Sequence, residues 1–589
     1  MARSIGGLAR AGCVALALIA AAPDPATAQP RDDVLTAHAG RARTGWFSNQ
    51  TALAPADLSQ GRFGKLWESP QLDPYDKYPA RLYASPLYVD GMTVRGAGRR
   101  AGKFRAVIAA SSTGFVYAVN AAATKDVKAG TILWKTQLDP PCTLIWDASA
   151  MGVLGTPVID RARKTLYVAS CSAKKGWQVY GLDLATGAVR DGWPVSIDEK
   201  ILADPSLDRN PAYGPPVDVK SRPGRFYIQR GALNLDAGDR YLFVTLGQAR
   251  GWLVAVDTRR KAVASSFSAT PLAQDAEGGI WGSTGPAIDA SGNVFVASGA
   301  SPQDPGPALR NWAQSVLMFS AASGDLALRG VYTPFNYCRT GESDIDLGSS
   351  GIALIPNRSA HDPLGQLLAV GGKQGNAYLL ATSRLAAPGT ERRACSEDSA
   401  TDLSLLPPQP QPQFNARGPI NIFGPYSDDD GMLDRAKNRA TPAYFRDANG
   451  REYLFYTGNS KDPDDTRISV APSLVRMRLE RPAGGDPYLR TDGTATDFVW
   501  KNPGPPVVSS NGGRDAILWV LDENAQRSAV LVGPNPPQPL LFAVDPFSLK
   551  LLWKTEVGDL DTSGKYNSPT IARGMVFVGT DRIVAFGRK

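Results

Sequence analysis

A phrase that recurs along the chain constrains its fold more than any other feature. Leu541-Phe-Ala-Val-Asp545 precedes Leu551-Leu-Trp-Lys554, and Phe115-Val-Tyr-Ala-Val-Asn120 precedes Ile132-Leu-Trp-Lys135. Val179-Tyr-Gly-Leu-Asp183 precedes Gly192-Trp-Pro194, and Trp252-Leu-Val-Ala-Val-Asp257 and Val316-Leu-Met-Phe-Ser320 are weaker copies. Each copy reads as an alternating strand, a polar turn and a second strand carrying a large aromatic. Such units cannot bury their apolar faces alone and must stack on one another. Short, evenly spaced strands with an aromatic signature predict an all-β propeller.

The other two strands of each unit follow small residues next to proline or glycine. Ser85-Pro86, Thr156-Pro157, Gly285-Pro286, Ser350-Gly351, Thr441-Pro442 and Ser568-Pro569 each precede an apolar run such as Thr165-Leu-Tyr-Val-Ala169 or Val576-Phe-Val-Gly579. Less clear starts lie near Ala232 and Val507. Seven units are roughly complete. The C-terminus supplies three strands of another, Ser568 to Phe586, without its Trp strand. Phe63-Gly-Lys-Leu-Trp-Glu68 is a Trp strand without its preceding three. Joining the two predicts an eighth blade and removes exposed sheet edges. The count would be seven only if one weak unit were an insertion. The propeller is expected to span 61–589, with a long inserted loop at 385–440 and a partly ordered arm at 29–60.

Arg3 and Arg10 precede an apolar run from Val14 to Ala22, and Ala26-Thr-Ala28 gives a small-x-small cleavage pattern. Residues 1–28 therefore read as a signal peptide, and the mature chain is expected in the periplasm or outside the cell. No later run has the length of a membrane-spanning helix, so no membrane anchor is expected. Four cysteines follow the cleavage site: Cys142, Cys171, Cys338 and Cys395. An even number in an exported chain suggests disulfides. Three pairings are open, and Cys142–Cys171 with Cys338–Cys395 is favoured because those partners are nearer in sequence. The net charge of +8 is spread over short clusters such as Arg259-Arg260-Lys261. Nothing resembles a nucleic-acid-binding arm.

The Ala-Val-Asp…Trp phrase resembles the repeat of the pyrroloquinoline-quinone (PQQ) propellers, the superfamily of quinoprotein alcohol dehydrogenases and of a lipoprotein propeller of outer-membrane assembly. Arg43-Thr-Gly45, Ser85-Pro-Leu-Tyr-Val89, Gly278-Gly-Ile-Trp281, Asp346-Leu-Gly-Ser349 and Gly371-Gly-Lys-Gln-Gly375 are similar to exported bacterial proteins with PQQ-like repeats. The resemblance runs along nearly the whole mature chain. It implies PQQ, a calcium ion held by hard oxygen ligands, and a carboxylate base near the substrate hydroxyl. Three positions depart from that pattern. The register of the acidic calcium ligand reads Ser172-Ala-Lys-Lys175, that of the amide ligand reads Gly299-Ala300-Ser301, and that of the base falls on Leu309. The vicinal cysteine pair over the quinone is missing too. PQQ and calcium are therefore disfavoured as cofactors, and no metal site is expected. A shifted insertion would restore a carboxylate such as Asp304.

Asp344-Ile-Asp346 preserves part of the family's acidic element. With Asp304, these aspartates are the weak catalytic candidates, against a plainer reading as turn formers. Trp281, Arg339, Glu342, Lys373, Asn376, Asn511 and Arg514 are the candidate ligand-binding residues, because they fall in loops that lead into blades or in their hairpins. Only His38 and His361 could supply imidazole, and neither has a partner at metal-ligand spacing. Three functions stand open. The first is a propeller that binds a small molecule, a polymer or an envelope protein through its central funnel. The second is a quinoprotein-type oxidoreductase of alcohols or polyvinyl alcohol. The third, a weaker one, is a polysaccharide lyase or hydrolase.

Overall fold

The computed structural model describes residues 32–58, 61–96, 100–144, 149–210, 228–247, 251–270, 277–301, 311–359, 361–388, 392, 394–396, 420–423, 438–458, 473–500, 502–523 and 538–589. Residues 1–28, expected to be a signal peptide, Asp304, Leu309 and most of the expected 385–440 insertion lie outside these residues. The described strands form eight antiparallel four-stranded sheets, and one of them gains a fifth strand. The blades run 87–137, 158–196, 234–268, 287–332, 352–421, 443–494 and 507–554, and the last combines 570–588 with 63–68. This is an eight-bladed β-propeller. Phe63–Glu68 pairs antiparallel with Ile583–Arg588, from Phe63 opposite Arg588 to Glu68 opposite Val584, so the two ends of the chain share blade 8.

The recurring phrase has a physical cause at each of its parts. Its acidic or amide residue closes the turn: Asp545 Oδ1 accepts from the backbone N–H of Phe547 and Ser548, and Asp257 Oδ1 from those of Arg259 and Arg260. These are Asx turns. Its strand is buried throughout, as in Trp252–Asp257. Its tryptophan packs onto the next blade. Trp134 Nε1 donates to Leu184 O of blade 2, Trp553 meets Phe63 edge-on at 4.9 Å, and Trp67 Nε1 donates to Ala121 O of blade 1. The apolar clusters accordingly lie between neighbouring blades rather than in one central core. Large aromatics bury enough area there to hold blade to blade.

Residues 32–45 make one circuit of the ring. Asp32 Oδ2 accepts from Arg573 N of blade 8, and Val34 exchanges backbone bonds with Tyr88 of blade 1 at 2.8 and 3.0 Å. Leu35 O then takes Ile159 N of blade 2, and Thr36 Oγ1 donates to Leu233 O at blade 3. Arg41, Ala42, Thr44 and Gly45 carbonyls accept from Ile288, Leu354, Tyr444 and Val508 in blades 4, 5, 6 and 7. Trp46–Phe47 finally adds a parallel strand to Val507–Asn511. Because all eight contacts fall on or next to the first strand of each blade, those strands face the axis.

The arm is held by polar groups that it buries itself. Arg43 is 0% exposed and donates to Thr36 Oγ1 and to the carbonyls of Ala37, Leu233 and Pro286, at 2.7–3.2 Å. Burial pulls its pKa down to about 9. His38 lies between the carbonyls of Arg43 and Pro506, at 2.7 and 2.9 Å from its two ring nitrogens. Burial lowers its pKa to about 4, and the neutral ring that this favours donates to only one of the two carbonyls.

Disulfides join Cys142 to Cys171 and Cys338 to Cys395, the favoured pairing. Two such bonds are consistent with an oxidising compartment.

Candidate functional site

The loops that lead into the first strands gather at the end of the axis opposite their hairpins. Small hydroxyl residues of nearby blade entries meet there: Ser85 Oγ of blade 1 with Ser568 Oγ of the neighbouring blade 8 at 3.2 Å, and Thr284 Oγ1 of blade 4 with Thr441 Oγ1 of blade 6 at 2.6 Å. Arg230 leads into blade 3, Trp281 into blade 4 and Tyr566 into blade 8. Blades 4 and 8 are diametrically opposed, yet the Trp281 and Tyr566 ring centroids are 6.1 Å apart. The Arg230 guanidinium carbon sits 5.8 Å from the Trp281 centroid and 5.5 Å from that of Tyr566. Two aromatic faces thus hold one cation near the axis.

Arg230 is 5% exposed, and its Nε finds no hydrogen-bond partner among the described residues. Gln229 Oε1 and Asn567 Oδ1, one residue from Arg230 and from Tyr566 respectively, are buried and unpartnered as well. Buried polar atoms are nearly always paired, so three orphans on two converging loops call for an explanation. Tyr566 has φ 65° and Asp344 φ 53°. Strain of this kind in residues other than glycine collects at functional sites.

Lys373, in the second hairpin of blade 5, lies on another side of Trp281, with Nζ 5.6 Å from the ring centroid. Its ammonium is 2.6 Å from Asp346 Oδ2, 3.0 Å from Asp344 Oδ2 and 2.9 Å from Asp344 O. Burial works against its charge, but Asp346 and Asp344 outweigh it and hold the pKa above the ordinary lysine value. Asp346 Oδ1 accepts from Ala300 N at 2.6 Å, and a Cβ at Gly299 would collide with that oxygen. The local sequence explains the arrangement: Gly299 leaves room for the carboxylate, and Ala300 offers it a backbone donor.

The structure thus brings Trp281, Lys373, Asp344 and Asp346 into one cluster. Arg339 and Glu342 lie exposed on the short helix Tyr337–Glu342 nearby. Asn376 is buried within blade 5, donating to Gln374 Oε1 at 3.0 Å. Asn511 and Arg514 pair across a hairpin at the arm's end of the ring, and Asn49 of the arm bridges to Asn511. Arg230 and Tyr566 carry no motif and are the members that sequence reasoning missed. Their only sequence signal is position, just ahead of a blade start.

Calcium with PQQ does not fit the donors among the described residues. Calcium takes six to eight oxygens, whereas a lysine ammonium fills the space between the two aspartates here. Ala300 presents to Asp346 a donor where an oxygen is needed. Among the described residues no three His, Cys, Asp or Glu side chains come together at metal-holding distance.

No family profile matches the chain, and no curated protein matches it. Solved structures do. A quinohaemoprotein alcohol dehydrogenase from Comamonas testosteroni is 14% identical, with 94% of this chain and 80% of that one covered and a TM-score of 0.53. A europium-containing methanol dehydrogenase is 14% identical over 93% of this chain and 90% of that one, with a TM-score of 0.52. BamB from Moraxella catarrhalis, at 10% identity, 90% and 98% coverage and a TM-score of 0.43, is too distant to carry an argument. At these identities the likeness is one of fold, and folds of this kind host many activities. The chain shares its overall fold with these two dehydrogenases.

Proposed function

We propose that the protein is a periplasmic or secreted binding propeller whose axial funnel takes a small planar acid. The supporting observation is Arg230, a buried guanidinium between two aromatic rings whose Nε has no partner among the described residues. An isolated buried charge is costly unless it is paired. A carboxylate would complete the hydrogen bonding of Arg230, while a flat ring system would match Trp281 and Tyr566. Lys373 contributes no second anion site, since Asp344 and Asp346 already neutralise it.

The test is a titration of two planar acids, trimesate and metal-free PQQ, followed by tryptophan fluorescence. Saturating quenching is expected in the wild type, with affinity about tenfold or more weaker in Arg230→Gln. Equal affinities would defeat the reading.

A second reading, an oxidoreductase of the quinoprotein type, rests on one observation. Asp344, exposed at 59% of its side chain, lies in the same cluster as Trp281 and Lys373. It requires alcohol turnover with PQQ and calcium, and loss of that turnover in Asp344→Asn at unchanged thermal stability.

A further inference from the structure

The two disulfides sit in different settings. Cys142 and Cys171 are 7% and 0% exposed, within the apolar cluster between blades 2 and 3. Cys338 and Cys395 are both partly exposed. A thiolate must reach a sulfur to exchange with it, so access separates the two bonds. The exposed bond also has a place in the fold that the buried one lacks. It ties Cys395 of the inserted loop to the helix Tyr337–Glu342, which leads straight to Asp344 and Asp346.

The contacts around that bond run step by step to the funnel wall. Ser396 N donates to Phe335 O at 2.8 Å, and Cys338 N donates to Cys395 Sγ at 3.2 Å. Arg392 places its guanidinium carbon 4.2 Å from the centroid of the Tyr337 ring, and its Nη1 donates to Ala313 O at 3.0 Å. Gln314, the next residue, is buried and joins the helix to the acidic loop. Its Nε2 donates to Thr340 Oγ1 at 3.0 Å and to Ile345 O at 2.9 Å, and its Oε1 accepts from Leu347 N at 2.7 Å. Asp346, between Ile345 and Leu347, holds Lys373 against Trp281.

Two members of this chain of contacts are strained. Gln314 has φ 52° and Asp344 φ 53°. Residues other than glycine stay in such conformations only while their surroundings over-determine them. The covalent tie at Cys338 is one of those surroundings.

We propose that Cys338–Cys395 is a redox latch on the funnel wall. A dithiol reductant opens it in the folded chain while Cys142–Cys171 stays closed, and opening it loosens the loop that carries Asp344 and Asp346. One thiolate of the dithiol attacks a sulfur of the bond, forming a mixed disulfide and releasing the other cysteine as a thiolate that takes a proton. The second thiol of the reductant, deprotonated, then attacks its partner sulfur, closes the reductant's own disulfide and releases the remaining cysteine. Two electrons and two protons pass from the dithiol to Cys338 and Cys395. The latch does not depend on what the funnel binds, so it stands apart from the reading given for Arg230.

The test treats the folded chain with dithiothreitol, alkylates it with iodoacetamide and maps the labelled cysteines by mass spectrometry. Amide hydrogen exchange is followed over residues 337–349, with 570–588 as the reference. Cys338 and Cys395 are expected to be labelled about tenfold or more faster than Cys142 and Cys171. Exchange over 337–349 is expected to rise about tenfold or more in the reduced chain, with no change over 570–588. The Cys338→Ser, Cys395→Ser double variant is expected to show the faster exchange without reductant and no further change with it. The reduced wild type decides the matter by itself, so the test does not hang on how well the double variant folds. The proposal is overturned if Cys142–Cys171 opens as fast, or if exchange over 337–349 stays the same once Cys338–Cys395 is open.

Discussion

Lys373 Nζ lies 2.6 Å from Asp346 Oδ2, and both side chains are less than a tenth exposed. The backbone N–H of Ala300 holds the other oxygen of the same carboxylate. The cluster therefore carries its own cation, supplied by the chain.

Removing that cation isolates a buried carboxylate. Lys373→Met is expected to cost about 3–5 kcal/mol, the range for breaking one side of a buried pair. Lys373→Met combined with Asp346→Asn should recover much of the loss. Denaturant unfolding of the single and double variants measures the coupling. A loss under about 1 kcal/mol would be that of an exposed pair and would contradict the burial described.

Gly299→Ala tests the same carboxylate from below. The added methyl must push Asp346 aside, and a loss of about 1–3 kcal/mol is expected from the overpacking. If the Asp346–Lys373 pair is what the methyl disturbs, the loss in a Lys373→Met, Asp346→Asn background is smaller. Equal losses in both backgrounds would show that the methyl acts elsewhere.

The arm gives a pH signature. The His38 pKa falls from 6.5 to about 4 in the folded chain because burial disfavours the imidazolium. Between those values the unfolded chain binds a proton that the folded chain does not, so stability rises with pH across the window. The contribution is about 3 kcal/mol, fully present above pH 6.5 and lost as pH falls toward 4. The stability difference between wild type and His38→Gln should grow with pH by about that amount over the window. A constant difference would place the ring in a more solvated setting.

Cys142 lies in the short strand Cys142–Leu144 that follows blade 1, and Cys171 in the second strand of blade 2. Their bond closes a 29-residue separation. The Cys142→Ser, Cys171→Ser double variant is expected to lose about 3–4 kcal/mol from the released loop entropy. Reduction of the wild type should cost that amount plus the contribution of Cys338–Cys395, and reduction of the double variant only the latter.

The propeller was legible because one phrase encodes alternation, an Asx turn and an inter-blade aromatic together. A Trp strand without partners near residue 67 and three strands without a Trp at the C-terminus already imply the shared blade. The circuit of residues 32–45 was not legible. That stretch has no periodicity, and its hydrogen bonds, six from the backbone and two from side chains, run to eight blades spread over the rest of the chain, including Tyr88 and Val508. For the site, Trp281, Lys373, Asp344 and Asp346 came from resemblance and loop position. Arg230 and Tyr566 are single residues more than 300 positions apart, joined only by ring closure. Asn511 and Arg514 illustrate the converse: the first hairpin of a blade and its lead-in loop look alike in sequence but sit at opposite ends of the ring.

The most direct test titrates PQQ into the protein twice, once in EDTA and once in excess calcium, with alcohol oxidation assayed in parallel. A funnel that supplies its own cation through Lys373 and its anion contact through Arg230 predicts the same affinity in both titrations and no turnover in either. Binding or alcohol oxidation that appears only with calcium would contradict it.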